Sequence, residues 1–375
     1  MEFRVERDLL FENLSNVAQV IPTRHPERVL SNVLIHAEEG HCILKGTDFD
    51  KSIVAKINVE VIEQGACGTN ARKLYELLRE LPNGTLHIRA EKQFVILVEG
   101  NNAKYALPMV KEDEFPEIAD HIEPDFTFTE KTENFISMHS KTSFIASNDV
   151  TMPAYTGIQW EIAEDGVNMV TTDGHRLALV KDKRETSVKE PLNILLPVNA
   201  TDLISRLLSK SENEEFTVSG NKANLQCEID NYIIITRLII DKFPNYNAVM
   251  PKDNNKKLII GRDDLMLGLR RAEILCSPLS HLVIIDTTNQ AIMLKTSDDQ
   301  TGSHLSEPLK GEFEGEEIII GFNARDLMEI IRHIGSENVI MNFKGELTAT
   351  IIEPEIHEEN QEQLYLVMPL RVPKE

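Results

Sequence analysis

Asn70-Ala71-Arg72-Lys73-Leu74, Asn199-Ala200-Thr201-Asp202-Leu203 and Asn323-Ala324-Arg325-Asp326-Leu327 are three copies of one pattern, Asn-Ala-x-x-Leu. Asn is a favoured helix N-cap, because its side-chain oxygen accepts a hydrogen bond from a backbone N–H left orphaned at the helix start. Leu77, Leu78 and Leu81 follow the first copy, Leu207 and Leu208 the second, and Ile330, Ile331 and Ile334 the third. In the first and third copies the apolar residues fall at i, i+3, i+4 and i+7, one stripe of a helix. The copies lie about a third of the chain apart, and such a recurrence indicates repeated modules.

A second helix precedes each copy. Its stripe is Leu10, Leu14, Val17 and Ile21 in the first third, and Leu265, Leu269, Ala272 and Cys276 in the last. A weaker stripe, Phe135, Met138, Thr142 and Ile145, stands in the middle. Elsewhere the period changes to two. Thr85–Arg89, Phe94–Val98, Tyr232–Thr236, Ala291–Lys295 and Glu317–Ile320 read as strands, with a short turn expected at Glu99-Gly100-Asn101-Asn102. Each third is therefore helix, strands, helix, strands. The predicted fold is α+β, with three similar domains over residues 1–124, 125–253 and 254–375, divided near Pro124 and near Lys252-Asp253-Asn254-Asn255.

The chain has 375 residues and a net charge of −22. Charge of that sign opposes contact with phosphate unless basic residues gather on one surface. They concentrate on the helices and their approach loops, among them Arg7, Arg24, Arg72, Lys73, Arg79, Lys131, Lys141, Arg206, Lys210, Arg270, Arg271, Arg325 and Arg332. Acidic residues crowd Glu312–Glu317 and Glu353–Glu362, although Glu76, Glu80 and Glu273 share the helices. Cys42, Cys67, Cys227 and Cys276 form no CxxC pair, so reduced, buried thiols are expected, with no metal site. MEFRVERDLLFENL shows no basic-then-apolar leader, and no apolar run reaches the ~20 residues of a membrane helix, so a cytoplasmic, membrane-free protein is expected.

Thr171-Thr172-Asp173-Gly174-His175-Arg176-Leu177-Ala178 is the most specific string in the chain. It resembles the central-domain motif of the bacterial DNA polymerase III β subunit, the sliding clamp. Val5-Glu6-Arg7, Gly46-Thr47-Asp48, Ala71-Arg72-Lys73, Phe115-Pro116, Phe243-Pro244-x-Tyr246, Gly321-Phe322-Asn323 and Val367-Met368-Pro369-Leu370-Arg371 resemble the family in the same order, over essentially the whole length. The resemblance implies three clamp-type domains, each with two helices packed on antiparallel sheets, closing as a head-to-tail homodimeric ring. It implies a processivity factor that encircles double-stranded DNA without reading its sequence. The partners implied are DNA polymerase, the clamp loader and other proteins carrying a clamp-binding motif. It implies no catalytic residue, cofactor or metal.

Carried over by position, Arg24, Arg72 and the loop residues Asn148, Met152, Pro153 and Ala154 resemble the DNA contacts, although Met152 stands where a basic residue is frequent. Tyr105 and Leu107 resemble one side of the dimer interface, and Ile274 and Leu275 the other. The partner-peptide groove maps to Tyr155, Thr172, Gly174, His175, Arg176, Leu177, Pro244 and Val249, and further on to Asn323, Leu347, Val367, Met368, Pro369, Leu370 and Arg371. Ala248 replaces a residue that is often basic, and Val372-Pro373-Lys374-Glu375 runs past the tail of some relatives.

Two other readings stay open on the residues alone. One is a repeat scaffold that binds proteins but not DNA. The other is an enzyme, with Asp173 orienting His175 as a general base or with Asp48, Asp50 and Asp173 holding metal ions in a phosphoesterase.

Overall fold

The computed structural model describes residues 1–99, 103–288 and 291–373. Gly100, Asn101 and Asn102 of the expected turn, and Lys374 and Glu375 of the tail, lie outside the described residues. Six α-helices occur among them: α1 (Arg7–Val17), α2 (Ala71–Glu80), α3 (Thr132–Thr142), α4 (Val198–Leu208), α5 (Arg262–Leu275) and α6 (Ala324–Arg332). Apart from short 3-10 turns such as Arg28–Ser31 and Pro153–Thr156, the remaining regular structure among the described residues is antiparallel sheet.

The Asn caps form at two of the three copies. Asn70 Oδ1 accepts from Lys73 N at 3.0 Å, and Asn323 Oδ1 from Arg325 N at 2.9 Å and Asp326 N at 3.4 Å. The central copy departs from expectation. The strand Leu192–Pro197 runs directly into α4, which starts at Val198, so Asn199 sits inside the first turn instead of capping it. Ile21 lies beyond the end of α1 but is buried all the same. Two expected strands shift along the chain, Ala291–Lys295 to Met293–Asp298 and Glu317–Ile320 to Ile319–Asn323. The stretches around Pro124 and Lys252–Asn255 are irregular backbone.

The chain forms two compact units, and both cut across the thirds of the sequence: Met1–Ile136 with Asn199–Leu238, and Ser137–Val198 with Ile239–Glu375. Strand pairing explains the division. In the first unit Tyr232–Thr236 pairs with Lys51–Ala55, joining strands of the central third to those of the first in one thirteen-stranded sheet. In the second unit Arg176–Asp182 pairs with Gln361–Val367, joining the rest of the central third to the last third in a nine-stranded sheet. A strand edge left open by one module is thus covered by the next. A separate four-stranded sheet completes the second unit.

The helical stripes do the burying that their spacing predicts. In the first unit Leu10, Leu14 and Val17 of α1 and Leu74 and Leu78 of α2 are buried, and Phe11 stacks on Tyr75 with centroids 5.0 Å apart. In the second unit Leu265, Leu269 and Ala272 of α5 share one core with Leu327, Ile330 and Ile331 of α6. Each such leucine, isoleucine or valine contributes about 1.5–3 kcal/mol on leaving water. All four cysteines are buried free thiols, and burial pushes Cys67 up to about 11.

Candidate functional site

The Thr171–Ala178 string is a hairpin turn between the strands Gly166–Thr172 and Arg176–Asp182. Asp173 Oδ1 accepts from His175 N at 2.9 Å and from Arg176 N at 2.7 Å. The Thr172 hydroxyl donates to Arg176 O at 2.7 Å and accepts from Gly174 N at 3.1 Å. Gly174 takes φ +90°, a conformation glycine adopts without steric penalty. A Cβ there would meet the Tyr155 ring at 3.9 Å, which places Tyr155 over the turn.

Arg176 leaves the turn with only 11% of its side chain exposed. Its Nε donates to Asp173 Oδ2 at 3.0 Å and its Nη1 to Glu329 Oε2 of α6 at 2.6 Å, with Asp326 Oδ1 at 3.5 Å. Burial opposes the guanidinium charge, but these carboxylates outweigh it and the pKa is raised. The Asp173 carboxylate is therefore committed to two backbone N–H groups and to Arg176. It is a turn-builder, not the orienting partner of a His175 base. Asp48 is used similarly, accepting from Asp50 N and Lys51 N and pairing with Lys51 Nζ.

The C-terminal segment lies beside this turn. Val367, at the end of its strand, pairs with Arg176 and with Thr350. Met368 N donates to His175 O at 3.0 Å, and Leu370 N to Gly321 O at 2.8 Å. Leu177, Val170, Leu179, Leu366, Ala349 and Tyr246 form one buried cluster, with Phe243 packed against it. Tyr246 Oη donates to Glu161 Oε2 at 2.8 Å, which fixes the loop that carries Pro244 and Val249. Val249, Leu347 and Met368, each within three positions of a member of this cluster, are exposed by 57%, 56% and 42%. Pro244, Pro369 and Leu370 are half-buried, and His175 and Arg371 are exposed. Asn323 is half-buried and spends its side-chain oxygen on the α6 cap. An apolar floor with a few polar groups at its edge suits an extended peptide with apolar anchors.

The expected DNA contacts divide into two kinds. Arg24 is exposed in the loop after α1, and Arg72 is exposed on α2, where its Nε reaches Glu76 Oε1 at 2.8 Å. The loop Asn148–Tyr155 is closed by Ser147 N donating to Tyr155 O at 2.8 Å and stiffened by Thr151 N and Oγ1 donating to Asp149. Asn148, Met152 and Pro153 are exposed and Ala154 is half-buried, while the tip residue Val150 is 81% exposed. The tip is thus apolar and acidic. One basic residue leaves the expected face: Lys141 is buried, its Nζ donating to Glu358 Oε2 at 2.6 Å and Gln361 Oε1 at 2.8 Å.

Tyr105 and Leu107 are half-buried on the strand Lys104–Val110. Along one side this strand pairs with Phe94–Val98, but on the other only Met109 and Val110 find partners, in Thr69 and Gly68. Its first half is therefore an open edge among the described residues. In the second unit the strand Ser303–Pro308 is the outermost of its four-stranded sheet, and Ile274 at the end of α5 is 76% exposed beside half-buried Leu275.

Three consecutive segments of the chain, residues 1–119, 130–245 and 247–371, match the N-terminal, central and C-terminal domains of the DNA polymerase III beta subunit. The chain belongs to this family. It is 24% identical over 380 residues to a beta sliding clamp of Staphylococcus epidermidis, covering 99% of both chains. It is 26% identical over 375 residues to that of Pseudomonas aeruginosa, covering 99% of this chain and 100% of the relative. Among solved structures, a sliding clamp from Bartonella birtlesii bound to griselimycin aligns with TM-score 0.93 at 25% identity, over 99% of this chain and 100% of that one. A clamp from Bacillus subtilis aligns with TM-score 0.91 at 21% identity, over 100% of both.

As a beta subunit, the protein is a non-catalytic processivity factor with three clamp domains. Several features of its site escape the sequence. The Arg176–Glu329 bond, the Leu370–Gly321 bridge and the Tyr246–Glu161 anchor each join residues far apart in the chain. The open strand edges also escape it, since an alternating pattern does not show which side of a strand lacks a partner.

Proposed function

We propose that two copies of this clamp close head to tail around double-stranded DNA and slide along it, tethering DNA polymerase, the clamp loader and other partners through the groove beside the Thr171–Ala178 turn. The observation that carries this reading is the pair of open strand edges, Lys104–Leu107 in the first unit and Ser303–Pro308 in the second. A head-to-tail contact joins unlike surfaces, and it stops at two copies only if the rotation closes. Antiparallel pairing of these two edges between copies would continue the sheets across the boundary, with Tyr105 and Leu107 of one copy against Ile274 and Leu275 of the other. The working domains are residues 1–124, 125–253 and 254–375, and the place of action is the cytoplasm. Among the described residues no helix is long and apolar enough to cross a membrane.

A closed ring holds DNA by topology, so its grip can be weak and blind to sequence. That reconciles sliding with a net charge of −22: Arg24 and Arg72 contact phosphates, while the acidic remainder disfavours binding elsewhere. Asn148, Met152, Pro153 and Ala154 would touch DNA only by packing and polar contact, since they bring no cation. The test is retention. Protein loaded on nicked circular DNA should stay bound and run off after linearisation, and its solution mass should be that of a dimer. Equal loss from both DNA forms would favour the scaffold that binds proteins alone.

A further inference from the structure

The four-stranded sheet of the second unit buries one face against α5 and α6, and the tail covers the other face only along Gly321. Val283, Ile285, Leu294, Ile320 and Phe322 point into the core, while the alternate residues Leu282, Ile284 and Ile319 face outward. The rest of this outer face floors a cleft of about 1000 Å³. Val372, Pro373 and Glu346 wall one side, and Asp299 and Gln300 are among its other lining residues. Gly321 seats the wall. A Cβ there would lie 2.8 Å from Leu282 Cδ1, 3.0 Å from Leu370 O and 3.1 Å from Val372 Cγ2, so only the missing side chain lets the tail lie against the sheet.

We propose that this cleft is a second docking site, distinct from the groove, for an extended partner segment that alternates basic and apolar residues. Three observations carry this. The volume suits several side chains of a peptide. The floor offers Leu282, Ile284, Ile319 and Val372 as apolar contacts. The charge is one-sided: Asp299 and Glu346 are exposed at the cleft, and its sole lining cation among the described residues, Lys295, is paired with Asp286 at 2.5 Å. Such a lining repels phosphate, so it selects a cationic peptide over nucleic acid.

The test uses the full-length protein and a fluorescein-labelled pentapeptide alternating arginine and leucine, followed by anisotropy at low salt. The expected result is saturable binding that falls at least about tenfold in Asp299→Lys/Glu346→Lys and in Ser297→Trp, which fills the floor. Glu312→Lys/Glu314→Lys, the same charge change on an exposed edge strand, should alter it less than about twofold. Equal loss in the two charge-reversed proteins would mean attraction to the acidic surface at large and would overturn the proposal. So would unchanged binding in the cleft variants, or no saturable binding by the unaltered protein. Circular dichroism of each variant separates loss of binding from loss of fold.

Discussion

Arg176 Nη1 lies 2.6 Å from Glu329 Oε2, a contact between residues 153 positions apart in the chain. It ties the turn of the central third to α6 of the last third, at the edge of the proposed peptide groove. The same guanidinium holds Asp173, the residue that shapes the turn. One side chain therefore couples the shape of the turn to the joint that brings the two segments together.

Replacing Arg176 by Ala should leave Glu329 and Asp173 half-buried without a counter-charge. A hydrogen bond to a charged group is worth about 1.5–3 kcal/mol, so a loss near that size is expected. Thermal unfolding of the variant should begin at lower temperature, and affinity for a clamp-binding peptide should fall with it. A variant of full stability and full peptide affinity would show that the contact organises nothing.

The two acids facing Arg176 should behave differently. Burial raises the Asp326 carboxyl above its ordinary 3.8, an effect the Arg176 charge only partly offsets. The folded state thus holds that proton more tightly than the unfolded one, and the group costs stability once the pH rises through its folded value. Asp326→Asn should not lower stability at pH 7, and the variant and the parent should converge at low pH. Glu329→Gln should cost about 1–2 kcal/mol at pH 7, because it weakens the shorter, charged bond. Denaturant midpoints of both variants across pH decide the matter.

How much of this could be read in the chain depends on the range of the interaction. The caps at Asn70 and Asn323 and the helical stripes are local, and each was legible because spacing alone encodes them. The residues assigned to the groove were proposed only through likeness to a family, because Leu177, Tyr246 and Leu366 meet through sheet pairing that no local pattern announces. The Phe-Pro repeat shows the limit of a local reading. The edge of the Phe115 ring closes on Gly68, where a Cβ would fall 2.2 Å from it, whereas Phe243 packs against the buried cluster that includes Leu177 and Tyr246. The same dipeptide stands near a linker in one case and in the candidate site in the other.

The first of these linkers carries its own pH dependence. Lys45 Nζ donates to Asp120 Oδ2 at 3.0 Å, and that bond holds the Asp120 carboxyl below its ordinary value. Its stabilising effect is present above the ordinary carboxylate range and disappears as the pH falls through the lowered folded value. The Asp120 carboxylate is more than half open to solvent although Lys45 is mostly covered, so Asp120→Asn should cost only about 0.5 kcal/mol at pH 7 and nothing at pH 2, with salt weakening the effect. A cost that persisted in acid would point to something other than the ion pair.

Charge reversal at Arg24 together with Arg72 should weaken DNA contact and leave peptide binding intact. Each phosphate contact contributes about 0.9 to the slope of log affinity against log salt, so the slope should drop by about two and affinity at low salt by tenfold or more. Arg72 is already shared with Glu76, so Arg24→Glu alone should have the larger effect. If peptide affinity fell instead, the assignment of these two residues to the DNA face would be wrong.

Removal of Met368–Glu375 should abolish peptide binding while the dimer persists. The strand Gln361–Val367 ends immediately before the cut, so its pairing with Arg176–Asp182 and Thr350–Ile352 survives. What is lost is the Met368 N–His175 O bond, the Leu370 bridge to Gly321 and the exposed Met368 side chain. Gly321→Ala offers a gentler test. Its methyl would crowd Leu282 and the Leu370 carbonyl, and overpacking of this kind costs about 1–3 kcal/mol unless the tail lifts away. Lifting should lower peptide affinity without changing the solution mass. A truncated protein that bound peptide as tightly as the full chain would remove the tail from the groove altogether.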